Sequence, residues 1–320
     1  MKASDLSLRD LSRPRGRLAP GSAIRQVLTL AAFTWKEGLR RRMVLVGMIL
    51  TLAFVVLYGL GGYFAFHYQG SLGLDRGLAG ARGLIAEAAL SILMRQIAAY
   101  VMLSMGVFMA TILTVTMLVF SASGMISGDA ENGTLQTIVT RPLARYHLLL
   151  GRYLGFASIF LAYLIVVTGL LVGLTRAFSG FAPPAPVQAI GLIALQGLIL
   201  LALASVGTTV LPPLATGVLV FMGYGVAFIG GVVGQIGGLL SNHVAQMIGT
   251  VVSFLVPSDL LFRGGLHGLA PSIPTELAGI VQAGPFGNAS PVSGPMLVYC
   301  FGYPVVALTA ACWLFSRKDL

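Results

Sequence analysis

Six long apolar runs, at about residues 43–64, 97–120, 153–174, 190–210, 216–240 and 296–315, set the layout of the chain. At 1.5 Å per residue, the first covers about 33 Å as a helix, enough to cross the hydrocarbon core of a bilayer. Lipid offers no hydrogen bonds to an open backbone, so each run is expected as a transmembrane helix. Amphipathic stretches lie before and between them. Ile24, Val27, Leu28, Ala31, Trp35 and Leu39 share one helical face, with Arg25, Lys36 and Arg40 on others. That is the pattern of a helix lying in the membrane interface. Ser127 to Tyr146, reading SGDAENGTLQTIVTRPLARY, is longer than a membrane turn requires. Its Leu135, Ile138, Val139, Pro142 and Leu143 fall at i, i+3, i+4, i+7 and i+8 and gather on one face. Glu131 stands where a first turn would be and Arg141 in the last, each sign matching the helix dipole. Pro142 limits the helix. Such a helix either touches another protein or lies on lipid headgroups, and periodicity leaves both open. His243 to Val256 is apolar but too short to span, and Pro257 ends it, so it reads as a re-entrant or interfacial segment. The stretch Leu84 to Leu93, within a loop from 65 to 96, reads as a short interfacial helix.

Composition turns this pattern into a class. Apolar residues make up 57% of the 320 positions and charged residues 9%, against about a quarter charged in soluble domains. The expectation is an all-α polytopic membrane protein, with a flexible basic tail over 1–22 and one transmembrane domain over 23–320. The net charge of +10 does not point to nucleic acid, because its distribution is that of an anchor. Ten of the twenty Lys and Arg precede the first run, from Lys2 to Arg42. An N-terminus so loaded stays in the cytoplasm. Six spans then return the C-terminus, with Arg317 and Lys318, to the same side, which also holds Arg141, Arg145 and Arg152. A multi-pass protein of the plasma (inner) membrane follows, with both termini cytoplasmic. The tail lacks a signal-peptide pattern. Cys300 and Cys312, twelve residues apart on one helix, are about 18 Å from each other and beyond disulfide reach.

Glu131, Gly133-Thr134-Leu135, Arg141-Pro142, Arg145 and Leu150-Gly151-Arg152, in this order between two apolar runs, resemble the coupling segment of ABC transporter permeases of the type-2, exporter-like class. The resemblance covers the six-span layout, and its specificity lies in about 25 residues. It departs at Gln136, where many relatives carry an acidic residue. It implies a permease subunit whose coupling helix docks on a separate ATP-binding subunit, which would hold ATP and Mg. It also implies a second permease copy or a relative, and an elbow helix at residues 24–42 flanking the ATPase contact. On this reading the face of Leu135, Ile138, Val139 and Leu143 docks, while Glu131, Arg141 and Arg145 set the polar register. Gly133, Thr134 and Pro142 complete the motif. Export is the implied direction. The chain itself lacks the G-x-x-x-x-G-K-[ST] loop that cradles ATP phosphates and has no metal-ligand spacing. It is therefore expected to carry no catalytic site of its own, and its four dispersed histidines do not assemble with Ser123 into a protease.

Other motifs carry less. Gly230, Gly234 and Gly238 stand four apart in the fifth run, a small-residue seam that lets helix backbones approach. It serves packing inside one protomer or contact between two copies. Gln196 and Gln235 are polar groups within spans that need interhelical partners. Mid-span charges are missing, which disfavours an ion-coupled carrier. Pro257-Ser258-Asp259-Leu260-Leu261-Phe262-Arg263 resembles a Pro-x-Asp-x-x-x-Arg stretch in the permease branch linked to multi-copper enzyme maturation. The spacing alone makes Asp259 and Arg263 a pair on one helix turn, worth a few tenths of a kcal/mol. The alternative function is a membrane scaffold that passes an ATPase's work to extracytoplasmic protein assembly, with the segment 241–295 holding a partner.

Overall fold

Hydrogen-bonded helix, the one backbone form that a single segment can carry through lipid, accounts for every element among the described residues of the computed structural model. The structure describes residues 20–38, 42–68, 84–124, 145–271 and 291–317. In chain order the helices are α1 (Pro20–Gly38), α2 (Arg42–Tyr68), α3 (Leu84–Ser123), α4 (Arg145–Ser179), α5 (Pro186–Val210), α6 (Pro213–Leu239), α7 (His243–Leu255), α8 (Ser258–Leu269) and α9 (Gly294–Arg317). Six of them, α2 to α6 and α9, are long and apolar enough to cross a membrane. They alternate in direction, so α1, the end of α3, the start of α4 and the end of α9 share one end of the bundle, called proximal here. The bent pair α7–α8 lies at the distal end.

Helix ends follow local chemistry. Pro186 and Pro213 occupy the first turns of α5 and α6, where the missing N–H costs nothing and the fixed φ suits a helix. Leu211 and Pro212 are all that separate those two spans. At the distal turn, Asn242 N–H donates to the Gly237 carbonyl at 2.8 Å, and Ser241 takes φ 52° to permit it. The Asn242 side chain accepts from the backbone N–H groups of Val244 at 3.0 Å and Ala245 at 3.2 Å, capping α7. Pro257 then breaks the path, and α8 leaves α7 at 97°.

Two spans form the centre. In α5 and α3, 67% and 61% of the apolar window is buried, against 22% in α2 and 11% in α9. The two outer spans therefore keep an apolar face for lipid or for a second copy. Small residues set the close crossings. A Cβ at Gly197 of α5 would overlap the Phe160 ring of α4, and one at Gly217 of α6 would come within 2.9 Å of Phe120 of α3. Hydroxyls tie α2 to α4: Tyr58 and Thr175 share a hydrogen bond of 2.6 Å, and the Tyr163 hydroxyl bonds to Thr51. In membranes such bonds average about 0.6 kcal/mol each, so packing rather than polarity carries the bundle.

Two expected boundaries shift. Leu84 to Leu93 is not a separate interfacial helix but the first part of α3, a single helix of 40 residues. Arg95, assigned to the distal loop, lies within that helix. Its Nη2 donates to the Phe178 carbonyl at 3.1 Å, and its guanidinium sits 5.9 Å from the Phe66 ring centroid. Likewise α4 starts at Arg145 rather than 153. Hydropathy marks the part of a helix that faces hydrocarbon, whereas backbone hydrogen bonding continues past it.

Candidate functional site

At the proximal end, α1 lies along the first turns of α4. A Cβ at Gly151 would come within 2.8 Å of Leu30, and one at Gly155 within 2.5 Å of Thr34 and 3.0 Å of the Ala31 carbonyl. Leu30 and Thr34 are spaced four apart, as are Gly151 and Gly155, so side chains of one helix sit in the gaps of the other along the i, i+4 row. Thr34 donates to the Leu30 carbonyl at 2.9 Å and is buried. His147 and Arg152, polar residues at the start of α4, are buried too. Residues 24–38 of that amphipathic pattern thus lie in a helix whose small-residue contact is with α4.

The segment between α3 and α4 is the one on which the coupling assignment falls. Glu131, Gly133, Thr134, Leu135, Ile138, Val139, Arg141, Pro142 and Leu143 lie outside the described residues. Arg145 is the first residue of α4. What the structure gives is the frame. The segment leaves from Gly124 at the end of α3, which is central, and re-enters at Arg145 in the helix that carries α1. Residues 125–144 are thus joined to α3 on one side and to α4 on the other.

The distal end carries a second constellation, which the sequence did not reveal as one. In α8, Asp259 and Arg263 form an ion pair, Nε donating to Oδ2 at 2.6 Å, with side chains only 3% and 11% exposed. Arg263 Nη1 donates to the Gln235 Oε1 of α6 at 2.7 Å. The pair expected on one helix turn does form, and it is part of a buried cluster joining two elements. It fits because α6 offers glycine: a Cβ at Gly231 would overlap the Asp259 carboxylate. Asp259 Oδ1 and Arg263 Nη2 have no hydrogen-bond partner among the described residues. Nearby, the Tyr224 side chain reaches Gln196, whose fully buried amide makes no hydrogen bond of good geometry.

The glycine seam of α6 has its partner in α7. A Cβ at Gly230 would meet Val252 at 2.6 Å, one at Gly234 the Cα of Gly249 at 3.1 Å, and one at Gly237 Ala245 at 2.6 Å. Gly238 takes no part; a Cβ there meets nothing within 4 Å. At 3.6 residues per turn Gly237 stays about 20° from the direction of Gly230, while Gly238 has turned about 80° away. A cavity of about 570 Å³ opens on that side, bounded by α6, α7, α8 and the residues leading into α9.

The family model described as ABC-2 family transporter protein matches residues 28–320. No curated protein matches the chain.

Proposed function

Since this chain belongs to the ABC-2 transporter family, we propose that it is the membrane subunit of an ATP-driven exporter, coupled to a separate ATPase through residues 127–146. The membrane component of the family holds six apolar spans here, and the ATP and Mg belong to the partner subunit. The observation that supports coupling at this segment is mechanical. Residues 125–144 join α3, one of the two most buried spans, to α4, the helix clamped by α1. An ATPase can drive movement only through contacts that differ between its two states. Contacts at this segment act on the centre of the bundle rather than on its rim. Leu135, Ile138, Val139 and Leu143 supply the docking face; Glu131, Arg141 and Arg145 set its register, with Gly133, Thr134 and Pro142 completing the motif. A second copy or a relative completes the pathway, in the plasma membrane with both termini cytoplasmic.

The test is to reconstitute the complex co-purified from native membrane in proteoliposomes. Glu131→Arg is expected to leave insertion and amount unchanged while removing the dependence of ATP hydrolysis on the chain. An ATPase rate that follows the variant chain as it follows the native one would overturn the assignment.

A further inference from the structure

The distal cavity is built differently from the lipid-facing surfaces around it. The three faces of α7 separate cleanly. Ala245, Gly249 and Val252 press on the glycines of α6. Val244, Met247, Ile248, Val251 and Leu255 are exposed and apolar. Gln246, Thr250 and Ser253 line the cavity. A helix that merely rested on lipid would need no third, polar face turned to a cavity. Opposite that face lie Gln235 and the Asp259–Arg263 pair, with Ser293 at the mouth of α9, while Leu260, Phe254, Val292 and Met296 give the cavity an apolar side. About 570 Å³ is within the range of small-molecule pockets, roughly 300–1,000 Å³.

The charges in the lining cancel. Arg263 is held by Asp259 at 2.6 Å and by Gln235 at 2.7 Å, and the remaining polar lining is amide and hydroxyl. An ion entering would lose its hydration without meeting an opposite charge that is free. A neutral group that both donates and accepts hydrogen bonds suits the walls, since amides and hydroxyls do both. The ion pair offers the cavity no free charge: Arg263 Nη2 and Asp259 Oδ1, which no described residue satisfies, are buried from the accessible space. We infer that this cavity within one protomer binds a neutral molecule rich in hydroxyl or amide groups, either a free solute or the headgroup of an amphiphile whose tail follows the apolar side. The site is separate from the ATPase-docking segment at the other end of the bundle.

The test uses the full chain in phosphatidylcholine nanodiscs, with Ser253→Cys as reporter and peptide mass spectrometry to assign N-ethylmaleimide labelling to position 253. The probes are octyl β-glucoside and free glucose as neutral heads with and without a tail, and decyl sulfate and decyltrimethylammonium as charged heads with a tail. At about ten times its dissociation constant, a bound neutral probe slows labelling about tenfold. Protection by octyl glucoside alone assigns an amphiphile headgroup; protection by glucose as well assigns a free solute. Gly238→Leu, at a cavity-lining position where a Cβ meets nothing within 4 Å, abolishes protection in either case. Equal protection by the charged surfactants, no protection by either neutral probe, or protection that survives Gly238→Leu would overturn the assignment.

Discussion

At the scale of residues, the Asp259–Arg263–Gln235 cluster is the most consequential polar feature among the described residues. Removing one member of a buried ion pair strands the other, at a cost of about 3–5 kcal/mol, whereas replacing both with apolar groups is often neutral. Asp259→Asn is therefore expected to lower the apparent Tm of the detergent-solubilised chain by about 10 °C. Asp259→Leu combined with Arg263→Met should recover most of that loss. A double variant as unstable as the sum of the two single ones would mean that the pair is not the source of the stability. The spacing of Asp259 and Arg263 was legible in the sequence, and their pairing with it. Their burial was not, because it arises from α6, more than twenty residues upstream, and from Gly231, which differs from its neighbouring glycines only in facing Asp259. Gln196 and Gln235 were legible as polar groups in need of partners. That Gln235 finds its partner in Arg263 is a tertiary fact without a local signal.

Among the elements, α1 shows how much a face can mean. Its amphipathic pattern fitted a helix on the membrane surface, and that pattern is compatible with lipid on one side and protein on the other. The structure adds Gly151 and Gly155 of α4 as the groove into which Leu30 and Thr34 fit. Gly155→Leu is expected to lift α1 off α4, since overpacking at such a crossing typically costs about 1–3 kcal/mol. Faster hydrogen exchange across residues 20–38, with α5 and α9 unchanged, is the expected result; exchange unchanged in α1 would show that it is not held by this contact. The seam in α6 shows the limit of counting by fours. Gly230, Gly234 and Gly238 repeat evenly in the sequence, but a helix turns every 3.6 residues, so Gly237 rather than Gly238 stays in phase against α7. The α7–α8 break at Pro257 was legible because proline both lacks an N–H and restricts its predecessor. The 97° angle was not, since it depends on how α8 packs against α5, where Gly268 comes close to the Ala185 carbonyl.

For the whole molecule, six spans and their order were legible from hydropathy because lipid leaves the backbone so few alternatives. The extension of α3 back to Leu84 was not, since helical hydrogen bonding does not stop where the apolar run does. Which spans form the centre was likewise hidden. All six runs are apolar all round, and only packing distinguishes α3 and α5 from α2 and α9. The even number of spans predicts sidedness. Cysteines placed at Arg25 and Arg317 should label with an impermeant maleimide from the cytoplasmic face only, and one placed at His243 from the opposite face only. Labelling of Arg25→Cys and Arg317→Cys from opposite faces would contradict a six-span path.

The coupling of this bundle to an ATPase through residues 127–146 is the claim on which the functional account depends. Its most direct measurement is a mild-detergent purification of the tagged full chain from native membrane, assayed for bound ATPase. The account predicts ATP hydrolysis that co-purifies with the native chain and is lost with Leu135→Glu, while that variant inserts and elutes as the native chain does. Well-folded native chain carrying no ATPase, or Leu135→Glu retaining it in full, would contradict the account.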